Sequence, residues 1–274
     1  MTRAQPKTRL DELVLARGLA DTRTKAQALI LAGRVLVNDA PVDKPGTRVA
    51  QDVAVRVRGE ERRYVSRGGE KLAGALADLG VSVAGKRCLD VGASTGGFTD
   101  CLLQHGAEHV IALDVGYGQL DVKLRGDARV TVVERVNARE MGVEHMPPEQ
   151  AIGLVVVDVS FISATLVLPR IAAVAPRADV LVMVKPQFEV GRERVGKGGV
   201  VRDDADRAAA VARVREAAAT LGYAARGEAE SRLAGPAGNR EVFVRLVCGR
   251  AAGPDSGNLQ GQTLRFPHAG KRKV

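Results

Sequence analysis

The chain has 274 residues, 45% hydrophobic and 27% charged, the balance of a soluble globular protein with room for one large domain and a small one. No apolar run approaches the ~20 residues that span a bilayer, and the start, MTRAQPKTRLDE, lacks the apolar core of a signal peptide. Three cysteines without a CxxC pair and four scattered histidines without HExxH argue against disulfides and metal ligation, so a cytoplasmic protein with no metal and no membrane partner is expected. The net charge of +9 favours a polyanion, nucleic acid foremost, against the plain alternative of an ordinary basic protein. With 3% aromatic residues and no Trp, extended base stacking is not expected.

Residues 9–59 read as a helix–helix–strand–strand module of α+β type. Leu10, Leu13 and Val14 form a short helical stripe that Gly18 stops. Asp21 or Thr22 caps a second helix, TRTKAQALILAG, closed by Gly33. RVLVND alternates as a strand up to a turn at Asn38-Asp39, and VAVRVRG alternates again. Up to Asn38, seven basic residues (Arg3, Lys7, Arg9, Arg17, Arg23, Lys25, Arg34) stand against three acids (Asp11, Glu12, Asp21). Arg23 and Lys25 open a helix, where cations gain nothing from the dipole. Phosphate contact accounts for them, and a solvated face is the alternative. The Arg-rich second helix followed by G-x-V-x-V-N resembles the small RNA-binding domain of ribosomal protein S-four, which implies RNA contacts at Arg9, Arg23, Lys25 and Arg34.

Residues 60–70, EERRYVSRGGE, read as a linker with Tyr64-Val65 as an anchor, and a helix is expected from Lys71 to about Leu79. Apolar runs at 87–91, 109–115, 130–136, 154–160 and 179–185, mostly separated by helical stretches, have the rhythm of an α/β fold with a largely parallel sheet. A long Ala-rich helix over 203–221 precedes two final strands, 223–230 and 240–248, close enough to pair antiparallel. The expected domains are therefore 1–59, a linker 60–70, a second domain 71–248 and a Gly-rich, disordered tail 249–274.

In open α/β sheets ligands bind at the carboxyl ends of the strands. The five runs deliver Asp90, Asp114, Asn137, Asp158 and Lys185 to those ends. Any one alone is weak, since a strand-end lysine can simply snorkel to solvent. Five in succession point to a shared site. The first turn, DVGASTGGFTD, offers Gly92, Ala93, Ser94, Gly96, Gly97 and Phe98 for close approach to a ligand. Asp114, followed by Val115, ends the next strand where a carboxylate can accept from ribose hydroxyls. Turn and acid fit an adenosine-containing cofactor. The order GASTGG lacks a pyrophosphate fingerprint, Asp90 can hold a methionine amine through water, and the final strand pair suits a methyltransferase sheet. S-adenosylmethionine is favoured over NAD.

CLDVGASTGGFTDCLLQHGA, LDVGYGQL, DVSFIS, VKPQFEVG and GNREVF, in that order, closely resemble the TlyA family, hemolysin-named bacterial proteins understood as rRNA 2′-O-methyltransferases with an FtsJ-like catalytic domain. The resemblance runs from about Arg9 to Val247. It implies a Rossmann-like, S-adenosylmethionine-dependent methyltransferase sheet and methylation of cytidine ribose in 16S and 23S rRNA, or in 23S alone; the extension before Arg9 favours both. It also implies a Lys-Asp-Lys-Glu tetrad at Lys71, Asp158, Lys185 and Glu241. Family linkers often carry Trp where this chain has Tyr64, which bears on a linker role needing an indole N–H and not on catalysis.

Lys185 is then a base or hydroxyl-orienting group for the ribose 2′-OH. A lysine serves as base only when neutral, so a second cation nearby, Lys71, would help, whereas Asp158 favours the charged amine and orients it. Asp158 also falls among the cofactor-binding candidates. Arg67, Arg139 and Arg192 flank the same face as phosphate contacts, and the Gly-rich basic loop EVGRERVGKGGVV is placed to close over RNA in the 30S or 50S subunit. Competing readings are a membrane-active hemolysin, which needs an apolar span or secretion signal that is not evident, a non-catalytic ribosome assembly factor, and a dehydrogenase on the same sheet.

Overall fold

The computed structural model describes residues 7–58, 63–147 and 151–249. The chain divides into two compact units, Met1–Arg62 and Arg63–Val274. The tail expectation for 249–274 lies, beyond Gly249, outside the described residues.

The first unit runs β1 (Lys7–Arg9), α1 (Leu10–Ala16), α2 (Arg23–Leu31), β2 (Val35–Val37), β3 (Ala40–Pro41), β4 (Arg48–Ala50) and β5 (Val55–Val57). Thr22 caps α2 by accepting from the Lys25 N–H. β3, β2 and β5 form one antiparallel sheet and β1 pairs with β4. β1, β3 and β4 were not expected, because KTR, AP and RVA lie in no alternating apolar run of the kind that marks β2 and β5. Leu10, Val14, Ala26, Ile30 and Val35 close the small core.

The second unit begins with α3 (Arg67–Asp78), four residues ahead of the expected start. Ser66 caps it by accepting from the Gly68 N–H. The Gly68-Gly69 pair is therefore not linker but first turn. A Cβ at Gly69 would lie 2.3 Å from the buried Tyr64 ring, so only glycine lets the ring seat there. Residues 63–65 are tied to the chain ahead: the Val65 N–H donates to Asp100 at 2.8 Å, and Gln104 donates to the Arg63 carbonyl at 2.9 Å.

There follow β6 (Arg87–Val91), α4 (Gly97–Gln104), β7 (His109–Leu113), α5 (Val122–Arg125), β8 (Val130–Val133), β9 (Leu154–Val157), α6 (Leu168–Val174), β10 (Asp179–Val184), α7 (Pro186–Glu189), α8 (Asp204–Thr220), β11 (Tyr223–Glu230) and β12 (Val242–Cys248). The sheet order is β11-β12-β10-β9-β6-β7-β8. The five strands β10, β9, β6, β7 and β8 are parallel, with β8 at one edge, and β12 and β11 add on antiparallel at the other. Along each parallel strand, alternate residues enter opposite cores: Leu89, Ile111, Val155 and Val182 on one face, Cys88, Val110, Val156 and Leu181 on the other. Burial on both faces is why the strands read as unbroken apolar runs. Chain order reverses at β6, so β6 and β9 flank the crevice where such sheets bind ligands.

Candidate active site

Four parallel strands stop earlier than their apolar runs suggested, and this decides what each polar residue does. Asp158 and Lys185 are the first residues after β9 and β10. Asn137 lies four residues past β8, beyond Arg135, whose φ of 61° ends the strand. Its side chain accepts from the Arg139 N–H at 3.0 Å, so it shapes a loop rather than ending a strand. Asp90 is not a strand end either. It is the fourth of five residues in β6, fully buried, and its Oδ2 accepts from the Thr99 hydroxyl at 2.7 Å. Its Oδ1 is buried with no protein partner. Burial, with the nearby charges of Asp158 and Asp114, pushes this carboxyl up to about 7 against the hydroxyl bond from Thr99.

The turn after β6 is held in the left-handed region at Gly92, Ser94 and Gly96. A Cβ on Gly92 would meet the Asp158 carbonyl at 2.5 Å, so glycine is what lets the turn touch the loop after β9. Gly97 opens α4. Phe98, expected at the cofactor, has its ring buried in the core, 6.1 Å from that of Phe243. Asp114 accepts the N–H groups of Ser94 (2.9 Å) and Gly116 (2.7 Å), one on each oxygen, which leaves each oxygen a lone pair for a further donor. It pins two turns together around a cavity lined by Ala93, Ser94, Asp114, Gln119 and Glu134. Val115 is exposed beside it. Gln119 and Glu134 were missed, since polar residues in loops leave no periodic signal.

The four tetrad residues form two ion pairs. Lys71 Nζ lies 2.6 Å from Glu241 Oε2, both buried, and Lys185 Nζ lies 2.6 Å from Asp158 Oδ1. Lys185 also donates to the Ser160 hydroxyl at 2.7 Å. The β10–β12 ladder ends at Val184 opposite Val242, so Lys185 and Glu241 leave the sheet side by side. Lys71, expected as the second charge near Lys185, has its own counter-ion in Glu241. Ser160 and Phe161 were missed as site residues, although both stand in the DVSFIS motif. Phe161 is 89% exposed with φ 66°, and its ring sits 5.5 Å from that of Phe188, beyond Lys185.

Arg67, Arg139 and Arg192 are exposed, with Arg67 donating at 3.4 Å to the Ala234 carbonyl in the loop ahead of Glu241. In the first unit the expected phosphate ligands have other work. Arg9 and Arg23 both donate to the fully buried Asp11, at 2.9 and 3.1 Å, and Gln27 adds a third donor. Arg9 foremost holds the Asp11 carboxyl far below the usual range. Lys25 pairs with Asp21 and Arg34 donates to the Arg58 carbonyl. The cations opening α2 therefore do have a role in the fold, though Arg9, Arg23 and Lys25 remain about half exposed. Among the described residues, no group of three or more His, Cys, Asp or Glu could hold a metal, and no helix is long and apolar enough to cross a membrane.

Residues 64–247 match the FtsJ-like methyltransferase family and residues 8–55 the S4 domain family. The chain is 49% identical, over 88% of its length and 90% of the relative's, to the 16S/23S rRNA (cytidine-2′-O)-methyltransferase TlyA of Mycobacterium tuberculosis. It is 36% identical to the 23S rRNA (cytidine-2′-O)-methyltransferase TlyA of Campylobacter jejuni, over 67% of this chain and 71% of that one. Among solved structures, a hemolysin-named protein from Streptococcus thermophilus is 40% identical, covers 89% of this chain and 90% of its own, and superposes with a TM-score of 0.68.

Proposed function

Because the chain belongs to the FtsJ-like methyltransferase family, and within it to the TlyA rRNA methyltransferases, we propose that it methylates the 2′-hydroxyl of cytidine in 16S and/or 23S rRNA, using S-adenosylmethionine, on ribosomal subunits in the cytoplasm. The observation that carries this reading is Lys185: an amine at a strand end, held between Asp158 (2.6 Å) and Ser160 (2.7 Å), beside a glycine-built turn.

The residues around that turn fit the cofactor. Asp90 keeps a buried oxygen without a partner, suited to the positive methionine end through water. Gly92 and Gly96 let the turn pack tightly, against the Asp158 carbonyl and against Leu120 and Leu124, and Asp114 and Glu134 line the cavity with acceptor oxygens. S-adenosylmethionine supplies a methyl group already activated on a sulfonium. What remains for the protein is to place the hydroxyl in line and manage its proton. Lys185, ion-paired with Asp158, orients the 2′-OH and accepts its proton only as the neutral amine, while Asp158 and Ser160 fix the direction of its Nζ. The Lys71–Glu241 pair ties α3 to the residue just ahead of β12, next to the ladder end from which Lys185 leaves. Phe161 offers an exposed ring on which the target base can stack.

The exposed arginines and the S-four-type domain are placed in the RNA contact, with Arg9, Arg23, Lys25 and Arg34 shared between fold and phosphate. Incubation with tritiated S-adenosylmethionine and separated 30S and 50S subunits from a strain lacking the modification tests the reading. Label in either subunit supports it and shows which is the substrate. No label, with cofactor binding intact by calorimetry, favours an assembly factor instead. Leakage from liposomes at low salt favours the membrane-active alternative.

A further inference from the structure

We propose that Glu189 is a positioning residue, a buried carboxylate that locks the segment carrying Lys185 to the segment carrying Asp158. Glu189 is the last residue of α7, four after Lys185, and 3% exposed. Both its oxygens are filled from the segment after β9: the Ser163 hydroxyl donates to Oε2 at 2.5 Å and the Ala164 N–H to Oε1 at 2.7 Å. Its own carbonyl accepts from Arg213 of α8 at 2.8 Å, which anchors the lock to the sheet's helical layer.

A carboxylate is a costly group to bury, and burial pushes this one up against the pull of Ser163, Ala164 and Arg213. Such a group is retained where its geometry matters. The need is visible here. After Lys185 the chain turns at Pro186 and has no ladder partner, and α7 is a single turn that cannot hold itself. Across from it, Phe161 holds a left-handed φ of 66°, which a bulky side chain keeps only when its surroundings impose it. Three links join the segments in order: Lys185 to Asp158 and Ser160, Phe188 to Phe161, and Glu189 to Ser163 and Ala164. Glu189 is the buried end of that ladder, so removing it frees the other two.

This inference rests on the reading that Lys185 acts on the 2′-OH, and the test separates the two. Glu189→Ala is expected to lower kcat about 100-fold, the scale of a 1 Å misplacement, with S-adenosylmethionine affinity unchanged, because the cofactor cavity is built by other turns. Glu189→Gln, which still accepts from Ala164 and can donate to Ser163, is expected to restore kcat to within about threefold of wild type. Amide exchange, read without turnover, is expected to quicken at residues 160–165 in Glu189→Ala and to stay unchanged in β6 and β7. Wild-type kcat, unchanged exchange, or loss of cofactor affinity together with kcat overturns the positioning role. If Glu189→Ala does not fold, Ser163→Ala decides by the same readings, with kcat expected to fall about fivefold. If the wild-type enzyme methylates nothing, the proposed function fails and the exchange result still judges the lock.

Discussion

Removing one member of the Lys71–Glu241 pair should unfold more than it inactivates, and removing both should do the reverse. Glu241 is 1% exposed, its Oε2 has Lys71 as partner at 2.6 Å, and its Oε1 has none. Lys71→Met leaves that carboxylate buried and uncompensated. Breaking a buried pair in this way costs about 3–5 kcal/mol, and a domain of this size loses about 2–4 °C of Tm per kcal/mol. Lys71→Met should therefore melt on the order of 10 °C lower. In Lys71→Met/Glu241→Leu no charge is stranded, so the Tm should return to within a few degrees of wild type. Methyl transfer should stay at least about 100-fold down in all of these, because the pair fixes the strand end beside Lys185. Thermal melts by circular dichroism and tritium transfer to subunits measure the two. A double variant that regains methylation along with stability, or a Lys71→Met variant with wild-type Tm, would refute the reasoning.

Phe161→Ala should leave the Tm nearly unchanged, since the ring is 89% exposed, while kcat/KM for RNA falls about tenfold, within the ~1–3 kcal/mol of one base stack. For Asp90, whose folded value is raised to about 7, the folding penalty is absent below the unfolded value of ~3.9, grows as pH rises and levels off above about 7; Asp90→Asn should remove that trend from melts of the free protein. Cofactor binding places a cation by the same carboxyl, so the wild-type Kd by calorimetry should tighten between about pH 6 and pH 8 with proton release. Asp11 behaves oppositely. Its lowered value stabilises the first unit above ~4 and is lost on acidification, so the deficit of Asp11→Asn, read by amide exchange in α1 and α2, should shrink below about pH 4.

The alternation of helices with doubly apolar runs made the α/β sheet legible, because parallel strands buried on both faces have a distinctive unbroken pattern. The polar residues following those runs marked the site's edge. Side-chain partners were not legible. Asp90 and Asp114 looked alike as strand-end acids, yet one boundary shift of a residue or two makes Asp90 a buried carboxyl and Asp114 a clamp for two turns. Arg23 and Asp11, twelve residues apart, meet only because α1 and α2 fold against each other, so an apparent phosphate ligand turned out to have a structural partner. Low aromatic content argued against stacking, but composition does not say where the few rings go, and Phe161 and Phe188 sit together beside Lys185. Glu189 stands in the quoted VKPQFEVG stretch, but nothing in the sequence shows that its carboxylate is buried against Ser163 and Ala164.

The central claim is that Lys185 delivers a ribose 2′-oxygen to a methyl donor. Subunits treated with wild-type enzyme or with Lys185→Ala, digested to nucleosides and analysed by mass, test it directly. The account predicts 2′-O-methylcytidine with wild type, and at least about 100-fold less with Lys185→Ala at equal cofactor occupancy. Full 2′-O-methylation by Lys185→Ala, or methyl groups found on a base rather than on ribose, would contradict it.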